Sequence, residues 1–454
     1  MKQIIKSKIG SILTLAFAVV CVAGTVFAQN GPADQNKTGV GGTFAITNAN
    51  IYTVSGEMIK GGTVVISGGK ITAVGARVSI PRGAVRVNGS GLNVYPGMID
   101  AGTNMGLLEI GNGVAGTVDA GETGNINPNA KAILGINPHT SHINVTRVNG
   151  ITTVQSMPSG SLVAGQSAII DLNGATQSAM AVERQFALVV NFPQISTFAG
   201  FTPGVGPRFI DFKQAVKRRD NRLKDLKKVF EAAKRYGKVR QANAKDNSLP
   251  APETDLKMGA MVPYVNGEKP IVFIAQRARD IHGVLKFAEE MKVKAIINGG
   301  MEAWKVADDL KKASVPVIYN RIHNNPSNED DPYDLNFEGP AKLAKAGVLF
   351  SISTGNNGAS VRELPYQAGL ASAFGLSKED ALKSVTLYPA RILGIDDRVG
   401  SIEVGKVANI VVADGDMLEA MTNIKHMWIG GRKIPLTSRH TEFFEAFKDR
   451  KLAQ

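Results

Sequence analysis

The chain has 454 residues, with 52 lysines and arginines against 39 aspartates and glutamates, for a formal charge of +13. Its 43% apolar content is enough to build sizeable cores and excludes a wholly disordered chain; its 49 glycines follow no three-residue period, which excludes collagen. A single cysteine excludes a disulfide framework and a Cys-based zinc site, and six histidines limit any histidine-rich metal centre.

Residues 1–28 read as a secretory signal peptide. Lys2, Lys6 and Lys8 form a positive start, an apolar run follows from Ile12 to Ala23, and Val26-Phe27-Ala28 supplies small residues at the −3 and −1 positions. The run falls short of the ~20 residues of a membrane span, although an uncleaved anchor is the alternative. Cys21 follows Val20 rather than the small residue of a lipoprotein cleavage site, so no lipid is expected there. The expected product is exported, periplasmic or secreted, and free of the membrane after cleavage.

Residues 29–42 are polar and glycine-rich and read as a linker. From Phe44 the pattern becomes β. Thr63-Val64-Val65-Ile66 faces Ile71-Thr72-Ala73-Val74 across Gly68-Gly69, a hairpin signature, and the β character runs to residue 95. Short apolar runs then alternate with helical patterns. The runs are Ile151–Val154, Ile169–Leu172, Phe186–Val190, Ile271–Ile274, Ala295–Ile297, Val315–Ile318 and Val348–Ile352, with helical stretches at 279–291, 302–313 and 339–346. That alternation predicts parallel strands covered by helices, and residues 96–394 are enough for a (β/α)8 TIM-like barrel.

A basic insertion occupies about 205–265. Leu223, Leu226, Phe230 and Ala233 recur at helical spacing beside Lys217-Arg218-Arg219 and Lys227-Lys228. This describes either a helix that binds an anionic surface, or an amphipathic helix packed on the barrel with a solvated basic face. Interleaved Asp220, Asp225 and Glu231, together with export, favour the second, and no nucleic-acid partner is expected. After Gly394, β segments return over 395–436, ahead of a tail at 437–454. The economical architecture is a barrel beside one β-sandwich built from both ends of the chain.

Four motifs add specificity. They are Tyr95-Pro96-Gly97-Met98-Ile99-Asp100, Asn149-Gly150-Ile151-Thr152-Thr153-Val154, Thr386-Leu387-Tyr388-Pro389-Ala390-Arg391, and Gly400-Ser401-Ile402 with Gly405-Lys406-Val407-Ala408-Asn409. In this order and at these intervals the chain resembles the amidohydrolase superfamily, in its imidazolonepropionase- and dihydroorotase-like branch, from Phe44 to about Ile434. The resemblance implies hydrolysis of non-peptide C–N bonds by water activated on zinc or another divalent metal, held by His-x-His after the first strand, two later histidines and an aspartate.

The sequence departs from that ligand set at each alignable position. Gly102 and Asn104 stand where His-x-His is expected. The fifth strand carries Ile274 and Gln276, the sixth carries Gly299, and no aspartate follows the eighth strand in Ser353-Thr354-Gly355-Asn356. Glycine and isoleucine offer no side-chain ligand and amides are poor zinc ligands, so neither a metal nor another cofactor is expected.

Replacements elsewhere are incomplete. His139 and His142 would share a face on a helix but lack a third ligand; the alternative is a polar helix start. His323 precedes the acidic stretch Glu329-Asp330-Asp331, which is as readily a solvated loop as a cation site. The serine-rich segment Ser156–Ser167 has no histidine placed to activate a hydroxyl, and Asp100, Glu109, Asp280 and Glu302 read first as capping or loop carboxylates. The expectation is a pocket at the barrel mouth lined by Thr103, Asn104, Gln276, Arg277 and Asn356, with catalytic residues unassigned. The protein is then an exported amidohydrolase-like hydrolase with little or no activity, or a non-catalytic small-molecule-binding protein on that scaffold. A homo-oligomer is compatible with either.

Overall fold

In a computed structural model, the described residues are 37–450 except 112–113, 161, 203, 321, 327–329 and 356. The signal-peptide segment, Cys21 and Asn356 therefore lie outside the described residues.

The amino-terminal strands are β1 (Phe44–Ile51), β2 (Ile59–Ser67), β3 (Lys70–Gly75), β4 (Val85–Asn88) and β5 (Asn93–Pro96). β2 and β3 pair antiparallel about Gly68-Gly69, both at positive φ, as the β-branched runs and the turn residues require. One residue later β6 (Met98–Thr103) enters the barrel. Gly97 permits the close approach: an added Cβ would lie 2.1 Å from Thr152.

The barrel continues through α1 (Ser141–Arg147), β7 (Ile151–Ser156), β8 (Val163–Gln166) and β9 (Ala168–Asp171), flanked by β10 (Ala181–Glu183), to β11 (Leu188–Asn191). β12 (Phe198–Thr202) and β13 (Gly206–Phe209) form a separate hairpin, followed by α2 (Phe212–Lys245) and α3 (Leu256–Val265). Then come β14 (Ile271–Ala275), α4 (Ala278–Met291), β15 (Ala295–Gly299), α5 (Ala307–Lys312), β16 (Val317–Asn320), α6 (Leu335–Ala346) and β17 (Phe350–Ser353).

β6 and β7 are parallel, as are β11, β14, β15, β16 and β17 in that order. The run at Ile169–Leu172 corrects the all-parallel expectation. β8 and β9 form one path through Ser167 that is antiparallel to β11 and to β7, respectively. The reason is connection length: only residues 157–162 separate β7 from β8, whereas a parallel return needs a crossover of roughly a dozen residues or more. The architecture is thus a (β/α)8 arrangement with one reversed stave. No ladder joins β17 to β6 among the described residues.

α2 packs by the apolar face of the basic insertion. Leu226, Phe230 and Ala233 are buried, and the Phe230 and Phe287 rings meet edge-on at 5.0 Å. Lys227 pairs with Glu290 at 2.6 Å on the outer side.

The chain then returns through β18 (Ile410–Ala413), β19 (Ile424–Ile429) and β20 (Arg432–Lys433). β18 pairs antiparallel with β5, so both ends of the chain build one eight-stranded sheet, ordered β20-β19-β18-β5-β1-β2-β3 with β4 on β1. Trp428 is fully buried in it against Phe44. The described end of the segment read as a linker is fastened to this sheet, since Val40 pairs with Lys433. The segment read as a tail contains a helix, Arg439–Phe447, started by a capping box between Ser438 and Thr441. No helix among the described residues is long and apolar enough to cross a membrane.

Candidate active site

Functional groups of such barrels gather at the carboxyl ends of the strands. Here that end is built of amides and hydroxyls around one carboxylate. Asp100, fully buried on β6, accepts hydrogen bonds from Ser353 Oγ (2.5 Å), Thr354 Oγ1 (2.6 Å), the Thr354 amide (3.1 Å) and the Gly102 amide (3.1 Å). Burial holds its carboxyl above the usual range, against the lowering effect of those four bonds. The Ser353 hydroxyl also accepts from the Gly355 amide at 3.2 Å. The loop after β17 is therefore hung on β6 across the seam that has no ladder.

The positions where the family resemblance places imidazoles are closely packed. A Cβ on Gly102 would lie 2.6 Å from Ser353 Oγ, 3.0 Å from Ile318 Cγ2 and 3.2 Å from Asn298 Oδ1. Asn104 is nearly buried, and its Oδ1 accepts from the Gly358 amide at 2.7 Å. Gly299 holds φ +118°, and the Gln276 amide occupies the space of its missing side chain: a Cβ there would meet Nε2 at 2.4 Å. Asn320 donates to Asn298 Oδ1 at 2.8 Å, and Asn298 donates in turn to the Met157 sulfur at 3.8 Å. The buried Asn320 Oδ1 has no hydrogen-bond partner among the described residues.

The expected pocket residues thus separate. Asn104 and Gln276 stand at the strand ends. Thr103 is fully buried, and its hydroxyl donates to the Gln155 carbonyl at 3.0 Å, tying β6 to β7. Arg277 is exposed at the start of α4, near Asp280 and Glu302. Ser353, Thr354, Asn298 and Asn320, which sequence reasoning did not select, form the hydrogen-bonded group at the strand ends. Their only signal was their place at strand ends.

The remaining candidates have structural employment. His139 is not on the helix with His142, because Thr140 caps α1 between them, and His142 Nε2 meets the Glu109 carbonyl at 3.2 Å. Glu109 binds Thr140 and Ser141 at that helix start, and Glu302 accepts from the Ala278 amide at the start of α4. Ser156, Ser159 and Ser167 donate to backbone carbonyls. His323 lies 3.9 Å from Glu363. Among the described residues, no group of three or more His, Cys, Asp or Glu side chains is placed to hold a metal ion.

Residues 283–435 match the amidohydrolase family. The chain carries an amidohydrolase-family domain. The solved structure of an amidohydrolase from Thermotoga maritima MSB8 superimposes on this chain with a TM-score of 0.76 and 28% identity, covering 87% of this chain and all of that one. Imidazolonepropionase of Pseudomonas aeruginosa strain UCBPP-PA14 is 36% identical over 103 residues, 22% of this chain and 25% of that enzyme. Amidohydrolase tasK of Hapsidospora irregularis is 22% identical over 436 residues, 88% of this chain and 44% of that protein. The chain spans less than half the length of these curated relatives.

Proposed function

We propose that this protein hydrolyses C–N bonds of small, non-peptide substrates at the carboxyl end of its barrel, without the divalent centre typical of its family. Likeness to the T. maritima amidohydrolase over that protein's whole length supports the hydrolase assignment. The donor set argues against zinc. Gly102 has no ligand atom and no room for one, the Asn104 carbonyl is engaged by Gly358, and the Gln276 amide fills the space at Gly299. Amides and hydroxyls are weak ligands for such ions.

The chain's own groups then bind and orient. Asn320 Oδ1 is an acceptor without a partner among the described residues, suited to a substrate N–H once the mouth opens to it. Asp100 is a positioning residue, because its carboxylate is spent on the loop after β17. A water lacking both metal and adjacent base is a weak nucleophile, so turnover is slow. The amino-terminal pattern supports export, with a mature chain beginning at Gln29.

The test is elemental analysis of the purified protein, combined with turnover of cyclic amides and N-acyl amino acids with and without chelator. Slow hydrolysis unaffected by chelator is the expected result. Stoichiometric metal with chelator-sensitive turnover would overturn the metal-free assignment. Saturable binding with no turnover would replace hydrolysis by a binding function.

A further inference from the structure

A second cavity, of about 730 Å³, lies between the α2–α3 helix pair and the barrel wall beside the starts of β11 and β14. Lys131, Arg240 and Lys269 bring three cations to it. Lys269 is committed to the Gln185 carbonyl and to Glu183. Lys131 and Arg240 have no carboxylate partner among the described residues; the Arg240 guanidinium instead sits 5.9 Å from the Tyr236 ring centre. The lining carboxylate, Asp255, is occupied in capping α3, accepting from the amides of Lys257 and Met258 at 2.9 Å.

Two further lining groups are buried, and one of them holds an unpaired acceptor. Tyr264 is 1% exposed, and it lines the cavity. Desolvation, with Glu183 nearby, raises its pKa, so it remains a donor. Gln166 is 2% exposed; its Nε2 donates to the Pro128 carbonyl at 2.8 Å, which leaves Oε1 without a partner among the described residues. A native fold seldom keeps such an acceptor idle, because a buried polar group left unpaired is destabilising. Leu256, Pro252 and Pro263 supply apolar wall.

We propose that this cavity binds a small carboxylate-bearing organic anion. Its charge meets Lys131 and Arg240, and its polar body accepts from Tyr264 and donates to Gln166. The volume falls within the range of small-molecule sites. Nothing in this assignment depends on the chemistry at the barrel mouth.

The test is calorimetric titration of the whole chain at low salt with succinate, citrate and N-acetylglutamate, and with inorganic phosphate as the purely electrostatic control. Saturable binding of at least one carboxylate is expected, weakened about tenfold or more in the Lys131→Ala/Arg240→Ala double variant and several-fold in Tyr264→Phe. Both changed cations are exposed, and circular dichroism should show the double variant folded. Lys131→Arg should bind close to wild type. Absence of saturable binding by every carboxylate at about 10 mM would overturn the proposal, as would binding unchanged in the double variant. Phosphate binding as tightly as the carboxylates would replace the organic anion by a phosphate site.

Discussion

Asp100 joins two strands that no backbone ladder connects. Its carboxylate receives three hydrogen bonds from Ser353 and Thr354, more than 250 residues away in sequence. Asp100→Ala leaves two hydroxyls and two amides without their acceptor, and should cost about 3 kcal/mol or more, read as a lower urea midpoint at unchanged slope. Ser353→Ala removes one of those bonds and should cost about 1 kcal/mol. At Gly102 the reverse problem applies. Gly102→His forces an imidazole into space held by Ser353, Ile318 and Asn298, so it should destabilise by about 1–3 kcal/mol and confer no zinc retention on dialysis. A second carboxylate sets a pH dependence. Desolvation pushes Asp171 up to about 6, against hydrogen bonds from Thr153 and Asn409 and the charge of Arg398. A raised acid is favoured protonated in the fold, so its contribution to stability is whole below pH ~4 and is lost as pH rises through about 6. Asp171→Asn should flatten that fall relative to wild type when melting temperature is followed from pH 4 to 7.

Among the elements, those legible in sequence are the ones whose local chemistry has one solution. Gly68-Gly69 between β-branched runs gives the β2–β3 hairpin, and the apolar spacing of 279–291 gives α4 almost to the residue. The reversed stave β8–β9 was not legible, because an apolar run such as Ile169–Leu172 looks the same in either direction and only the short link to β7 betrays it. At the barrel mouth, Gly102, Asn104 and Gly299 could be placed at strand ends from the sequence. The role of Asp100 could not be read there, since it is made by residues more than 250 positions away. The basic insertion shows which of two visible features carries the energy. Phe230 is fully buried against Phe287, whereas Lys217 and Arg218 project from the same helix without buried partners. Phe230→Ala should therefore cost about 3–5 kcal/mol, while Lys217→Ala/Arg218→Ala stays within about 1 kcal/mol, both read from denaturant midpoints.

At the scale of the molecule, the sheet cannot be completed until the chain has passed through the barrel. β5 is followed after one residue by β6, and β5 pairs with β18 from the other end. Asn409, between the two halves, donates to both Thr153 and Asp171 of the barrel and accepts from the Gly430 amide of the sheet. Loss of the sheet therefore frees the edge from which β6 starts, and loss of the barrel separates the two strand sets that make the sheet. The two tryptophans report on these halves separately, Trp428 in the sheet and Trp304 beside α6, where Lys342 lies 4.4 Å over its ring. Trp304→Phe leaves a fluorescence signal from the sheet alone, and Trp428→Phe leaves one from the barrel alone. If the halves are thermodynamically one unit, sheet fluorescence in the first variant should be lost together with that variant's far-ultraviolet dichroism, and barrel fluorescence in the second likewise, each pair of midpoints agreeing within about 2 °C. A sheet signal lost well before the dichroism would show that the composite sheet unfolds alone and that the contacts through Asn409 do not couple it to the barrel.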